Sequence, residues 1–403
     1  MSFRTDKWWV APANYAPEVT SEFHFAEDIK ILETTLRDGE QQPGVVLRRE
    51  DKVAIAKKLD AIGIHKIEAG TPAISQDDVD AIKEISSLGL NAEIYCFVRN
   101  TVSDIKLAKD CGVDGVIAEV PGSEHMLNIG MGWTAERAIK SACEATSLAR
   151  DLGMKVTYFP ADGSRADLNF LLDTLQAIKE GGHVDAMTLV DTFGAFSPEG
   201  AYYTTRKMIE HLKCPIEFHG HEDFSMSVAT TISALKAGAS CAHVTVNGTG
   251  ERTGNTPLEP LLISLQALYG IDTGIDLTKL LDLSKDVEER TGMPVSPTKP
   301  IVGTRIFGWE TGMPVGLWKN CKDKDPLVML PYIWSMVNQR EPYIYTGKKS
   351  GLANIQLVCD ELGIALSEDD AKALVGHVKE MAIKEKRDIT REEFRSLAEN
   401  LKK

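Results

Sequence analysis

Apolar and polar positions follow two alternating patterns from about residue 28 to about residue 270. Short runs rich in apolar and β-branched residues, which favour strands, alternate with longer stretches whose apolar residues recur every three or four positions, as on one face of a helix. The predicted strands are 28–35, 66–70, 92–98, 115–121, 155–160, 186–191, 215–220 and 241–248. The predicted helices between them are 49–62, 77–88, 102–111, 135–152, 167–180, 198–212 and 225–237.

Glycine marks the end of several of these helices. Each of five glycines follows the last residue of a helical stretch and precedes the next strand: Gly63, Gly89, Gly112, Gly153 and Gly238. Glycine readily adopts the left-handed conformation in which many helices end. The repeating unit is therefore a strand followed by a helix.

Eight such units are what a (β/α)8 TIM barrel requires. The strands are largely apolar or β-branched rather than strictly alternating, as expected for parallel strands buried on both faces. A helix at 256–269 would close the barrel. The alternative, an open doubly wound sheet, usually has a glycine-rich phosphate loop after its first strand, and residues 34–39 (TTLRDG) do not form one. We predict an α/β fold, a TIM barrel followed by a mainly helical C-terminal appendage.

Three segments are predicted from these patterns. Residues 1–27 lack a clear period and are predicted to be an N-terminal arm lying on the surface or on a partner subunit. Residues 28–275 are the barrel, which would be the catalytic domain, and residues 276–403 are helical C-terminal subdomains. Within the last segment we expect a helix at 277–291, a Pro/Gly-rich stretch at 292–316, a helix near 326–338 and three helices toward the C-terminus.

Composition narrows the class of protein. The net charge of −14 argues against nucleic acid or an anionic membrane as the main partner, because their phosphates bind Lys and Arg. No run approaches the 18 or so apolar residues of a membrane helix, and the first twenty residues have no apolar core of a signal peptide. The seven cysteines include no Cys-x-x-Cys pair, which is typical of reduced cytoplasmic thiols.

Candidate chemistry lies where two of the strands end. Arg37 and Asp38 follow the first strand, and His219 and His221 end the seventh. Residues two apart on a strand face the same way, so both imidazoles point to one side. One carboxylate and two imidazoles at strand ends indicate a mixed oxygen and nitrogen site for a divalent metal, with positions left open for a substrate.

The other predicted strands also end in polar residues. TIM-barrel active sites gather at the C-terminal ends of the strands, and so many polar groups would be costly in a simple core. The further candidates are Glu68, Arg99, Glu119, Asp162, Arg165, Asp191, Thr192, Asn247 and the loop 250–255.

Four motifs carry a family resemblance: 35–41 (TLRDGEQ), 219–223 (HGHED), 250–255 (GERTGN) and 345–351 (YTGKKSG). With them the chain resembles the DRE-TIM metallolyase superfamily, TIM-barrel enzymes that include isopropylmalate, homocitrate and citramalate synthases and hydroxymethylglutaryl-CoA lyase. The third motif is similar to that of the synthases rather than that of the lyase, which has a cysteine-containing loop there.

The resemblance implies roles for individual residues. Asp38, His219 and His221 would bind the metal, with Asn255 as a weaker ligand. Arg37 would polarise the carbonyl of a bound 2-oxo acid. Thr192 would bind the substrate carboxylate through its hydroxyl. Arg99 and His125 would contact the substrate. Glu68 and Asp162 would be catalytic acids or bases.

Plainer interpretations stay open for some of these residues. Arg37 and Asp38 would make an ion pair in any fold, and Thr192 would suit the cap of the following helix. Glu68 would also serve as a brace, and His125 as a surface cap.

The implied activity is a metal-dependent Claisen condensation of an acyl-CoA with a 2-oxo acid, as in amino-acid biosynthesis. The resemblance also implies a homodimer and a divalent cation, with Mg, Mn, Zn, Co and Fe undistinguished. The cysteines and the lack of a signal peptide predict a cytoplasmic location. Two positions depart from the synthase pattern: Ala161 stands where a Glu is usual, and Pro314 lies where a Ser-Gly-x-His motif is usual. The alternative is therefore a metal-dependent lyase or aldolase that cleaves a 3-hydroxy acid or its CoA ester.

Overall fold

A computed structural model of the chain describes residues 2–401. Residues Tyr15–Val295 form one compact unit, and the residues up to Asn14 form a second unit with those from Ser296 onward. The division predicted from the sequence, 1–27, 28–275 and 276–403, stays a proposal about domain organisation.

The first unit contains a closed barrel of eight parallel strands, which confirms the predicted TIM barrel. In chain order they are β1 (Lys30–Glu33), β2 (Lys66–Glu68), β3 (Glu93–Arg99), β4 (Gly115–Pro121), β5 (Lys155–Ala161), β6 (Ala186–Asp191), β7 (Ile216–Gly220) and β8 (Cys241–Val244). Leu32 of β1 pairs with Lys66 on one side and His243 on the other, so β1 closes the circle.

Helices cover the barrel, and those predicted between its strands are confirmed to within two residues at each end. The unit contains α1 (Pro17–Thr20), α2 (Arg49–Ile62), α3 (Gln76–Ser87), α4 (Val102–Cys111), α5 (Ala135–Asp151), α6 (Leu168–Gly181), α7 (Pro198–Leu212), α8 (Ser227–Lys236), α9 (Leu258–Tyr269) and α10 (Leu280–Thr291). The eighth strand ends earlier than predicted, because the backbone turns at Asn247, whose φ is 60°.

The strands separate two apolar layers, because neighbouring side chains on a strand point to opposite faces. Ile31 and Phe218 belong to the large layer between the strands and the helices. Leu32, Ile117 and Phe159 belong to a smaller layer inside the barrel. This alternation decides which polar residues face the barrel axis.

The second unit is mainly helical. It contains α11 (Gly312–Cys321), α12 (Leu352–Leu362), α13 (Glu368–Glu385) and α14 (Arg391–Asn400), with a short parallel pair of β9 (Gly308–Trp309) and β10 (Tyr343–Ile344). The three predicted C-terminal helices are thereby confirmed. In the N-terminal segment of this unit, Trp8 makes an antiparallel bridge with Tyr332.

One prediction about the second unit was wrong. The helix expected near 326–338 is two separate 3₁₀ turns, Pro326–Val328 and Trp334–Val337, because Pro331 lies between them and cannot donate a helical hydrogen bond. Helix α11 begins inside the Pro/Gly-rich stretch 292–316, because Gly312 and Pro314 fall in its first turn, where neither interrupts helical hydrogen bonds.

The described helices include none that is both long enough and apolar enough to cross a membrane. None of the seven cysteines forms a disulfide bond in the described residues, and five of them are buried.

Glu33 joins the first and last strands of the barrel. It is fully buried and accepts hydrogen bonds from the backbone N–H of Thr35 and of Val246, each at 3.1 Å. Burial raises the pKa of Glu33 to about 8, although these hydrogen bonds oppose the shift. The carboxyl group is therefore protonated in the folded protein over a range where it ionises in the unfolded chain.

This shift predicts a pH dependence of stability. Between about pH 4.5 and pH 8 the unfolded chain loses the Glu33 proton while the folded protein keeps it, so the free energy of unfolding falls as pH rises, by at most about 1.4 kcal/mol per pH unit. Glu33→Gln should have a shallower slope than the wild type when denaturation is measured from pH 5 to pH 8. Parallel slopes would contradict the assignment.

Packing against the barrel predicts a large cost of truncation on α2. Ile55 is fully buried in the layer between strands and helices. Ile55→Ala should lower the free energy of unfolding by about 2–5 kcal/mol, because the side chain leaves a cavity. Thermal denaturation should show a clearly lower midpoint, whereas Lys57→Ala, an exposed position on the same helix, should leave the midpoint almost unchanged.

Candidate active site

Asp38, His219 and His221 meet at the C-terminal end of the barrel. Asp38 Oδ2 lies 3.2 Å from His219 Nε2 and 3.9 Å from His221 Nε2, and the two Nε2 atoms are 3.2 Å apart. All three side chains are buried. The structure thus brings together residues that are about 180 positions apart in the sequence.

The backbone after β1 holds Asp38 in place. The carbonyl of Thr34 accepts hydrogen bonds from the N–H groups of Arg37, Asp38 and Gly39. Such a tight turn at the end of a strand directs the next side chains over the barrel mouth. On β7, which only β8 separates from β1 around the barrel, His219 lies inside the strand and His221 just beyond it.

Asn255 is the fourth member of this group. Its Nδ2 lies 3.1 Å from Asp38 Oδ2 and 3.3 Å from His219 Nε2. The loop that carries it needs glycine: a Cβ on Gly250 would lie 1.7 Å from Asn255 Oδ1, and Gly254 has a φ of 92°. An amide presents an oxygen equally well after a half-turn, so Asn255 can offer an acceptor to the group.

The geometry fits a bound divalent cation. Ligand atoms about 2.1 Å from an ion lie about 3.0 Å apart at right angles and about 3.4 Å apart in a tetrahedron, close to most of the distances found here. Asp38 Oδ1, Asn255 Oδ1 and the Nδ1 atoms of both histidines are buried without a hydrogen-bond partner among the described residues. Buried polar atoms are normally paired, so this group is suited to a ligand.

Electrostatics leave these ligands in the forms that a metal requires. Burial opposes ionisation of Asp38, but the Arg37 guanidinium and a hydrogen bond from His219 hold its pKa well below the usual value. Burial lowers the pKa of His219 to about 3 and also lowers that of His221, with Asp38 opposing both shifts. At neutral pH the group is one carboxylate and two neutral imidazoles.

Arg37 and Glu68 form the wall beside this group. Arg37 Nε lies 2.9 Å from Glu68 Oε2, and its NH1 group donates to Asp38 Oδ2 at 3.1 Å and to Gln41 Oε1 at 2.9 Å. The guanidinium also lies over the Phe97 ring, 4.6 Å from its centre. Burial raises the pKa of Glu68, and the Arg37 charge opposes that shift. Since Arg37 NH2 has no partner among the described residues, it is available to a substrate oxygen.

Asp162 is the centre of a second polar group, at the end of β5. It is fully buried and accepts hydrogen bonds from Ser123 Oγ at 2.7 Å and from Arg165 at 2.6 Å and 2.9 Å, and its Oδ2 is 2.7 Å from His125 Nε2. Burial opposes ionisation, but these partners lower the pKa of Asp162. Its backbone N–H donates to Thr192 Oγ1 at 2.7 Å, so the Thr192 hydroxyl proton stays free to donate to another group.

Arg99 is placed differently from the other candidates. Its side chain is 65% exposed, and its guanidinium donates to Asp104 at 2.8 Å and 3.0 Å. Asp104 lies in the first turn of α4. The structure therefore does not bring Arg99 into either polar group, and its substrate role stays a prediction.

A third group, not predicted from the sequence, lies deeper in the barrel. Glu217 accepts a hydrogen bond from Lys66 at 2.7 Å and contacts His243 Nε2 at 2.8 Å, beside Cys241. Although Glu217, Cys241 and His243 could together hold a metal ion, Lys66 already supplies the compensating positive charge. Glu217, Cys241 and His243 each lie two residues from another residue that faces the barrel axis. This period of two along β7 and β8 could have predicted the group from the sequence.

A cavity of about 540 Å³ opens beside Arg37. Its walls combine Arg37 and Gln41 with the apolar side chains of Val46, Leu47 and Ile74. A cleft of this size and mixed lining can hold a small ligand.

Known proteins resemble this chain along most of its length. A family model described as HMGL-like matches residues 28–287. Homocitrate synthase AksA of Methanothermobacter thermautotrophicus is 37% identical over 373 residues, which are 93% of this chain and 93% of that protein. (R)-citramalate synthase CimA of Methanocaldococcus jannaschii is 38% identical over 353 residues, 87% of this chain and 70% of that protein.

The fold is also found among solved structures. The crystal structure of HMG-CoA lyase from Bacillus subtilis matches with a TM-score of 0.61 and 20% sequence identity, over 67% of this chain and 96% of that one. At this identity the likeness concerns the fold alone.

Loss of the Asp38 charge should weaken metal binding. Asp38→Asn should reduce the affinity for Mn²⁺, measured by titration calorimetry, by at least about a hundredfold, because the site then consists of neutral groups only. The matched control is Asp110→Asn, which removes the same charge at an exposed position at the end of α4. Equal affinity in the Asp38 variant and the control would exclude Asp38 as a ligand.

Proposed function

The chain belongs to the HMGL-like family, and we propose that it is an acyltransferase that condenses an acyl-CoA with a 2-oxo acid. The α-carbon of the acyl group forms a bond to the ketone carbon, whose oxygen becomes a hydroxyl. Water then cleaves the thioester. The products are a 2-hydroxy-2-alkyl dicarboxylic acid and the free thiol of CoA, when the 2-oxo acid has one carboxylate.

The observation that carries this proposal is the position of Arg37 beside the candidate metal group. Its guanidinium is buried, is held by Asp38, Gln41 and Glu68, and keeps one nitrogen unpaired within the described residues. A fixed cation at this point stabilises negative charge that develops on the ketone oxygen. The homocitrate and citramalate synthases that match over most of the chain support this reaction rather than cleavage.

Enzymes of this family use a divalent metal, and here Asp38, His219 and His221 would hold it, with Asn255 as a weaker ligand. When bound, the cation supplies Lewis-acid polarisation of the 2-oxo acid. The protein's own groups do the remaining positioning. The free Thr192 hydroxyl would donate to the substrate carboxylate, and Arg37 would contact the ketone oxygen.

Asp162 and Glu68 are proposed as catalytic groups. Asp162 is in hydrogen-bond contact with His125, whose side chain is 45% exposed, so this pair can pass a proton between the site and solvent. His125 would also contact substrate. Glu68 fixes Arg37 and lies near enough to the same chamber to act on a proton there.

Finer features remain proposals. Mostly buried cysteines that form no disulfide bond support a cytoplasmic location. A homodimer, a role in amino-acid biosynthesis and a substrate role for Arg99 rest on the family resemblance. Light scattering of the purified protein tests the dimer directly.

The reaction predicts thiol release from acetyl-CoA that requires both a 2-oxo acid and a divalent metal. A coloured thiol reagent, applied to a panel of 2-oxo acids with and without Mn²⁺, measures it. Formation of a 2-oxo acid and acetyl-CoA from a 3-hydroxyacyl compound, with no thiol release in the forward direction, would instead establish a lyase.

The same assay tests Thr192. Thr192→Val should raise the KM for the 2-oxo acid by about ten- to a hundredfold, because the substrate carboxylate loses a hydrogen-bond donor in a partly buried site. Thr192→Ser keeps the hydroxyl and should stay within a few-fold of the wild type. An unchanged KM in the valine variant would remove Thr192 from the substrate site.

A further inference from the structure

Glu119 is a carboxylate of the barrel mouth that no role above uses. It lies two residues after Ile117, which belongs to the layer inside the barrel, so its side chain faces the barrel axis. On the neighbouring strands it is level with Arg99 and Phe159. The Phe159 ring centre is 4.9 Å from that of His219, and the Arg37 guanidinium beside Asp38 is close enough to Glu119 to influence its pKa.

This carboxylate has no direct partner among the described residues. It makes no hydrogen bond and no ion pair with any described residue, although it is partly buried. Burial raises the pKa of Glu119, the more distant charge of Arg37 opposes the shift, and Glu251 adds to it. An acidic group in this state is costly to the fold, so its place in the chamber needs an explanation.

The cations around the mouth do not offer that compensation. Each described arginine or lysine at the strand ends of this unit already contacts a carboxylate of its own. These pairs are Arg37 with Asp38 and Glu68, Lys52 with Glu40 and Asp78, Arg99 with Asp104, Arg165 with Asp162, and Arg252 with Asp223. A second acidic group brought by a substrate would therefore meet carboxylates without a free cation.

The proposed substrate orientation directs its substituent toward this region. In this orientation the ketone contacts Arg37, after β1, and the carboxylate contacts Thr192, after β6. The substituent on the ketone carbon therefore faces the remaining side of the barrel, the wall formed by β2 to β5. The wall offers two aromatic side chains, Phe97 and Phe159, and three carboxylates, Glu68, Glu119 and Asp162. Glu68 pairs with Arg37 and Asp162 with Arg165, whereas Glu119 has no such partner among the described residues. An apolar substituent can pack on the aromatic rings, whereas a charged carboxylate is repelled.

We propose that Glu119 is a specificity-determining residue that restricts this enzyme to 2-oxo acids with a single carboxylate. The inference rests on the function proposed above and narrows its substrate class. The two relatives described above are named for products that differ in their number of carboxyl groups: homocitrate is a tricarboxylic acid and citramalate a dicarboxylic acid. Glu119 places this chain with acids of the second kind.

The test compares ligands that differ in charge but hardly in size. Titration calorimetry of the full-length protein with saturating Mn²⁺ measures the affinity for 2-oxovalerate, 2-oxoglutarate and the 5-methyl ester of 2-oxoglutarate. The second ends in a carboxylate and the third in a neutral ester. The wild type should bind 2-oxoglutarate about 10- to 100-fold more weakly than the other two, because only it brings a like charge.

Variants assign the effect to Glu119. Glu119→Gln should bring 2-oxoglutarate to within about threefold of 2-oxovalerate, while Glu119→Asp, which keeps the charge, should retain most of the discrimination. Asp110→Asn, a distant exposed position, controls for net charge. Equal binding of 2-oxoglutarate and 2-oxovalerate by the wild type, or an unchanged ratio in a folded Glu119→Gln variant, overturns the proposal.

Failure of this inference is distinguishable from failure of the proposed condensation. Discrimination in binding together with no thiol release from any acyl-CoA would overturn the condensation and support the role of Glu119. Thiol release that is as efficient with 2-oxoglutarate as with 2-oxovalerate would support the condensation and overturn the role of Glu119. Absence of binding of every 2-oxo acid would overturn both.

Discussion

The balance of charge around Arg37 is the interaction on which the candidate site depends. One buried guanidinium lies against two buried carboxylates, Asp38 and Glu68, and the three groups share a chamber with two neutral imidazoles. Without Arg37, both acids would be buried without compensation, which costs several kcal/mol per charge. The same guanidinium also keeps one nitrogen for a substrate, so the group that stabilises the site would also bind the reacting ketone.

The closed barrel makes this arrangement possible. Its strands alternate between an apolar outer face and an axis-facing side, so that polar residues from different strands converge on one small volume. Lower in the barrel, the ion pair of Lys66 with Glu217 and the contact of Glu217 with His243 are compensated within the protein. Toward the mouth, compensation becomes incomplete at Glu119 and at the candidate metal group of Asp38, His219 and His221. A ligand bound at the barrel mouth would supply the interactions that these groups lack within the protein.

Much of the fold could be predicted because its determinants are local. Helical periodicity, β-rich runs and glycine stops each involve residues a few positions apart, and they located the barrel strands and helices with small errors. The errors arose where a single residue decides the backbone: Pro331 separates two turns, and Asn247 ends β8 early. The motifs around Arg37, His219 and Asn255 also located the candidate site, because strand ends of a barrel meet.

The sequence by itself therefore determined the fold class, the order of the elements and the residues that gather at the barrel mouth, since these follow from short-range periodicity and strand parity. Only the tertiary structure decided which polar side chains pair with one another. It paired Arg99 with Asp104, joined Asp162 to Ser123 and His125, and left Glu119 without a hydrogen-bond or ion-pair partner among the described residues. Such pairings depend on distances between side chains from different strands and helices, which no local pattern specifies.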